Sequence, residues 1–171
     1  MGATQVYIPV TLTMLQQLVA EDSLQPVNGT AFAVTPTLRE AYAQGDEDEL
    51  ADVALREAAL ASLRLLAAHD AEGDQPARPR RAVLAAEVDD VTLRPDLDDA
   101  VVRITGPVSM GQVVAAYVDN AGAEEDVAKA IEAIDAADLG DEDADLIVGD
   151  AQDHDLAWYA NQELPFLLDL L

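Results

Sequence analysis

Apolar residues along this 171-residue chain recur with two periods, and the alternation between them predicts an α/β protein. Residues 5–10, with Val6, Tyr7, Ile8 and Val10, have the β-branched and aromatic character of a strand that stops at Pro9. Leu12, Leu15, Leu18 and Val19 then repeat at helical spacing behind Thr11 or Thr13 as cap, which predicts a short amphipathic helix. Pro26 to Gly29 is a turn signal, and Thr30 to Val34 reads as a second strand. Thr35-Pro36 is a helix start: a capping hydroxyl, then proline at the one helical position whose N–H has no partner. From Leu50 to Ala68 the chain is strongly helix-forming, and between Ala58 and Ala68 only Ser62 and Arg64 are not apolar. A helix apolar on nearly every side has to be surrounded by protein, so this segment is expected to be the central core helix.

The second half continues the alternation. A polar linker is expected at residues 70–80, strands at 81–88, 100–105 and 113–118, an irregular acidic connection at 89–99 and a single helical turn near 108–111. Val127, Ala130, Ile131 and Ile134 define an amphipathic helix over 123–136 with acids in its first turn, where the macrodipole favours them. After an acidic loop at 138–145, a short sixth strand is expected at 146–148, a last helix at 153–164 ending at Pro165, and an apolar tail from Phe166 to Leu171. These elements amount to one α/β domain over residues 1–171, or α+β if helices and strands segregate, with a mixed sheet of about six strands. Residues 6–16 and 102–112 share Val, Ile, Met and Gln in register, which admits an internal duplication into halves 1–88 and 99–171.

Charge sharpens this picture more than composition does. Half the residues are hydrophobic, so the chain can bury a core, yet its net charge is −25 and is uneven. Residues 1–118 carry 18 acids and 8 bases, whereas residues 119–171 carry 16 acids and Lys129 as their one base. Such a field repels phosphates and anionic lipid headgroups, so neither nucleic acid nor membrane is expected as a partner, while a basic protein is admitted. The absence of cysteine removes disulfides and thiolate chemistry, and no long apolar run or leader pattern is read, so a cytoplasmic protein is expected.

The candidate chemistry is sparse. No glycine is followed by Lys-Ser/Thr, and none of Ser23, Ser62 and Ser109 sits in a Gly-x-Ser-x-Gly elbow, which removes the commonest NTPase and hydrolase readings. Asp141, Asp143 and Asp145 alternate like calcium ligands, but Leu146 and Gln152 occupy the glycine and glutamate positions of such a loop, so an acidic loop and no metal site is expected. Arg78, Arg80 and Arg81 are expected to contact the chain's own acids, and Arg39 to pair with Glu40 or the acidic segment after it. The densest cluster is at the expected last helix. There His154, Trp158 and Gln162 fall on one stripe and Tyr159 and Glu163 on the next, with Tyr7 and Arg39 as residues that could join them. Proton transfer through His154 and Glu163 and stacking on the aromatics make this a candidate ligand-binding pocket; a docking role for Trp158 and Tyr159 explains the same residues.

Val6-Tyr7-Ile8-Pro9, the run Val34 to Tyr42, Ser62 to Leu66 and Trp158 to Leu164 together make the chain resemble an uncharacterised family of short actinobacterial proteins. The resemblance spans nearly the whole chain, which implies one compact unit, and it implies no activity, cofactor or catalytic residue. Two functions stay open on the sequence. One is a non-enzymatic protein-interaction or self-associating module, because the apolar tail needs a covering surface. The other is a small enzyme or ligand-binding protein using His154 to Glu163.

Overall fold

A computed structural model describes residues 3–71 and 78–170, without the side chains of residues 70 and 71. Seven strands form one sheet: β1 (Thr4–Val10), β2 (Thr30–Phe32), β3 (Ala82–Val88), β4 (Val91–Leu93), β5 (Val101–Ile104), β6 (Val113–Val118) and β7 (Ala157–Ala160). Their order is β4-β5-β2-β1-β3-β6-β7, and every neighbouring pair runs antiparallel, where a mixed sheet was expected. Six helices complete the domain: α1 (Leu12–Glu21), α2 (Pro36–Ala41), α3 (Glu47–Ala71), α4 (Glu124–Asp138), α5 (Glu142–Gln152) and α6 (Leu164–Leu170).

The central strand shows how sequence becomes layers. Because successive side chains of β1 point to opposite faces, Val6, Ile8 and Val10 join one core and Tyr7 joins the other. The first core is closed by Leu12, Leu15 and Leu18 of α1 and by Leu164 and Leu167 of α6. The second is closed by Leu38 of α2 and by Leu50, Ala54, Ala58 and Ala59 of α3. Farther along α3, Leu63 and Leu66 leave the sheet and pack with Val127, Ala130 and Ile134 of α4 and Val148 and Ala151 of α5. The long helix thus needs apolar residues on several faces because sheet and helical hairpin contact it in turn.

Two hydroxyls fasten this arrangement. Thr35 caps α2 by accepting from the Leu38 N–H at 3.0 Å, and its own hydroxyl donates to the Asp99 carbonyl. Ser62, fully buried on α3, donates to the Val10 carbonyl at 2.7 Å and accepts from the Ala82 N–H at 3.0 Å, so one side chain ties the helix to β1 and β3.

Several expectations are corrected. β1 continues through Pro9 to Val10; Pro9 is paired to Val83 of β3, and the registered contact with β2 lies at Tyr7, two residues earlier, so the missing donor breaks no ladder there. Within the expected irregular connection at 89–99, Val91–Leu93 forms β4 against β5. The largest difference lies between residues 138 and 164. The acidic stretch opens α5, with Asp141 accepting from the Ala144 N–H at 2.9 Å and acids filling the first turn, so Leu146 to Val148 are helical and form no strand. The expected last helix at 153–164 is instead a turn, the strand β7 and a 3₁₀ turn at Asn161–Glu163, and Pro165 lies in the first turn of α6, where its missing N–H costs nothing. The described part of the apolar tail, up to Leu170, belongs to that helix: Leu167 is buried, while Phe166 and Leu170 are exposed. Residues 72–77, most of the expected linker, lie outside the described residues.

Candidate functional site

A cleft of about 370 Å³ opens between α3 and the segment joining α5 to β7. Asp52, Leu55, Arg56 and Ala59 form one wall, because residues three, four and seven apart share a helix face. Gln152, His154, Asp155 and Leu156 form the opposite wall, and Tyr117 of β6 with Arg81 closes the base.

The walls are held by a buried ion pair. Arg81 and Asp119 are 1 % and 0 % exposed, at the adjoining ends of β3 and β6, where the backbone ladder has just stopped. The Arg81 guanidinium donates through Nε to Asp119 Oδ2 at 2.9 Å and through Nη2 to Oδ1 at 2.8 Å, the planar two-pronged geometry that arginine supplies and lysine cannot. The Arg81 N–H adds a third bond to Oδ2 at 2.8 Å, and the Asp119 N–H returns one to the Arg81 carbonyl at 3.1 Å. What remains of the guanidinium reaches across the cleft base: Nη1 donates to Gln152 Oε1 at 2.8 Å and Nη2 to the His154 carbonyl at 2.9 Å. Gln152 then donates to the Arg56 carbonyl on α3 at 3.2 Å. One arginine therefore connects both strands, the end of α5 and the wall segment, and through Gln152 the helix opposite. A buried charge without such partners would carry a penalty of several kcal/mol, so the network fixes the arrangement as a unit.

The wall is fastened on its outer side as well. His154 Nε2 lies 2.7 Å from Asp126 Oδ2, at the start of α4, and Glu124 there holds Arg80 at 2.8 Å. Arg78, Arg80 and Arg81 thus all meet acids of their own chain, as their position in so anionic a sequence suggests.

The charges facing the cleft itself are differently placed. Among the described residues the side chains of Arg56, Asp52 and Asp155 enter no ion pair or hydrogen bond. Burial pushes the Tyr117 phenol above its ordinary value, with the neighbouring Tyr7 and the negative charge of Asp52 adding to the shift, so it stays a neutral hydroxyl. Tyr7 and Tyr117 lie with ring centroids 6.4 Å apart at 59°.

Of the residues expected to converge, His154 is in this cleft and the others are not. Trp158 lies opposite Tyr117 in the β6–β7 ladder, on the same side of the sheet, but its side chain is 57 % exposed outside the cleft. Tyr159 points to the other face and packs against the core closed by α1 and α6. Gln162 and Glu163 are in the 3₁₀ turn beyond β7. Tyr7 and Arg39 both line a second cleft of about 390 Å³ with Thr4, Gln5, Glu47 and Asp48, where Arg39 pairs with Glu47 at 2.9 Å. Asp52, Arg56, Arg81, Tyr117 and Gln152 were not singled out as site residues by pattern. The one local signal was the Asp52 and Arg56 spacing of four on a helix, which ordinarily marks a surface pair.

Fold and site together define a single-domain α/β protein: an antiparallel sheet covered by helices on both faces, with a small polar cleft fixed by a buried ion pair. The chain matches the model of DUF6912, a family of unknown function, over residues 4–168, and it belongs to that family. No curated protein and no solved structure matches it. No helix among the described residues is long and apolar enough to cross a membrane.

Proposed function

We propose that this protein binds a small molecule in the Arg56–His154 cleft. The observation that carries the reading is the Arg81 network: it holds both walls in place before any ligand arrives, so little ordering free energy is lost on binding. The cleft volume suits a molecule of metabolite size, and Leu55, Ala59 and Leu156 give it an apolar lining beside its charged groups. Screening a library of small polar metabolites by two-dimensional NMR tests this. Binders are expected to shift the Tyr117, Gln152 and His154 signals, and Leu55→Trp, which fills the cleft from its half-buried wall, is expected to abolish those shifts. A library that yields no binder at these residues counts against the reading.

A second reading, self-association, is favoured by the edge strand β7. Edge strands are ordinarily shielded by charge, proline or a bulge; Ala157-Trp158-Tyr159-Ala160 has none of these, no strand among the described residues lies on its outer side, and Trp158 is exposed. Antiparallel pairing of two β7 strands would join the sheets of two copies. Light scattering after size exclusion tests it: a dimer that Trp158→Glu converts to monomer supports the reading, and a wild-type monomer at high concentration ends it.

A further inference from the structure

We infer that the ligand of the cleft is a small zwitterion, an ammonium and a carboxylate on one short frame, with the ammonium at Asp52 and the carboxylate at Arg56. The inference rests on the ligand-binding reading above and adds the chemical class.

Asp52 and Arg56 stand four residues apart on α3, acid first, the order and spacing at which side chains on a helix ordinarily pair. Elsewhere in this molecule the same arrangement does pair: Glu125 and Lys129 of α4 meet at 3.4 Å although both are exposed. Asp52 and Arg56 form no such pair, although both line one cleft. Of the nine cations in the chain, seven are in ion pairs and Arg103 donates to the Asn28 carbonyl at 2.7 Å; Arg56 is the one whose guanidinium has no partner among the described residues. A free guanidinium is uncommon in a protein of net charge −25, where carboxylates are abundant.

The groups around this pair select the class. A phosphate or dicarboxylate would meet Arg56 but also face Asp52 and Asp155. A simple amine would meet Asp52 but leave Arg56 beside its positive charge. A molecule with both charges satisfies each side: the carboxylate accepts two parallel N–H bonds from Arg56, and the ammonium donates to Asp52 with the Tyr117 hydroxyl and ring within the same cleft. Leu55, Ala59 and Leu156 leave room for a short aliphatic side chain. Asp155, on the opposite wall, adds a negative charge that favours the ammonium end.

Three matched probes test the class. L-norvaline carries both charges; n-butylamine is the same frame without the carboxylate, and pentanoic acid is the frame without the ammonium. Titrated into the full chain and followed at Tyr117, Gln152 and His154 by NMR, norvaline is expected to bind about tenfold or more tightly than either analogue. Arg56→Gln is expected to abolish its advantage over butylamine, and Asp52→Asn its advantage over pentanoic acid. Both side chains are on the surface of α3, so the unchanged amide spectrum elsewhere serves as the check on folding. An analogue that binds as well as norvaline overturns the zwitterion while leaving the cleft as a ligand site. Failure of all three probes, alongside library binders of another class at the same residues, overturns it too; failure of the probes and of the library together removes the cleft reading itself.

Discussion

Two clefts of nearly equal volume lie along α3, about 370 Å³ near His154 and about 390 Å³ near Tyr7, and they differ in how their charges are satisfied. In the Tyr7 cleft the arginine already has its carboxylate: Arg39 and Glu47 meet at 2.9 Å, both mainly exposed, and α2 and the start of α3 are joined there by that surface pair. In the His154 cleft the ion pair is buried at the base, and among the described residues the side chains of Asp52, Arg56 and Asp155, which face the space, are unpaired. Volume alone makes the two equivalent. What separates them is the state of the arginine: Arg39 is already paired with Glu47, with Asp48 beside it unpaired among the described residues, whereas Arg56 faces its cleft between walls held by the Arg81 network.

The largest difference between the two clefts is expected at Arg81. Arg81→Met leaves the Asp119 carboxylate buried without its cationic partner, keeping only the bond from the backbone N–H of residue 81, so stability is expected to fall by about 3–5 kcal/mol in urea unfolding. If that variant does not fold, Arg81→Met with Asp119→Leu keeps the experiment open: removing both charges is expected to restore most of the lost stability while the His154 wall loosens and the Tyr7 cleft stays unchanged by NMR. Next comes Ser62→Ala. It leaves the Val10 carbonyl and the Ala82 N–H buried and unpaired one residue from Arg81, and about 1–3 kcal/mol is expected to be lost in the same assay.

Arg39→Ala sharpens the contrast from the other side. Its pair with Glu47 is exposed, so a loss below about 1 kcal/mol is expected, with ligand binding in the His154 cleft unaffected. The smallest effect is in the phenols between the clefts. Burial is the main cause that raises Tyr7 and Tyr117 above their ordinary value of 10.0, and Asp52 adds to both. Because the folded-state values are raised, the associated stability is intact below pH about 10 and is lost as pH rises through the folded values. Spectroscopic titration of phenolate is expected to show both midpoints fall toward the ordinary value in Asp52→Asn; unchanged midpoints would place Asp52 away from the two rings.

Local signals in this sequence specify their elements, and long-range ones do not. Thr11 and Thr35 were readable as caps because a capping hydroxyl acts within three residues, and both accept from the N–H three positions on. The central strands β1, β3 and β6 and the helices α3 and α4 declared themselves through long, consistent patterns. Residues 141–164 did not. Leu146-Ile147-Val148 is too short an apolar run for periodicity to separate helix from strand, and the decisive cue, Asp141 capping an acidic first turn, was also legible as an acidic loop. Trp158 and Tyr159 favour strands, but the four-residue spacing of His154, Trp158 and Gln162 mimics a helical stripe, and pairing with β6 decides the matter. The site was less legible still. Arg81 and Asp119 are 38 residues apart, and nothing near either announces that adjacent strand ends will bring them together.

One guanidinium at this cleft is locked and the other, among the described residues, is free. Solvent exchange of the Nε–H protons of Arg81 and Arg56, followed by ¹⁵N NMR at neutral pH, measures it directly. A sharp, slowly exchanging Arg81 signal beside a rapidly exchanging Arg56 signal is the predicted result. Equal, rapid exchange at both would mean that Arg81 is not locked and that the walls are not held.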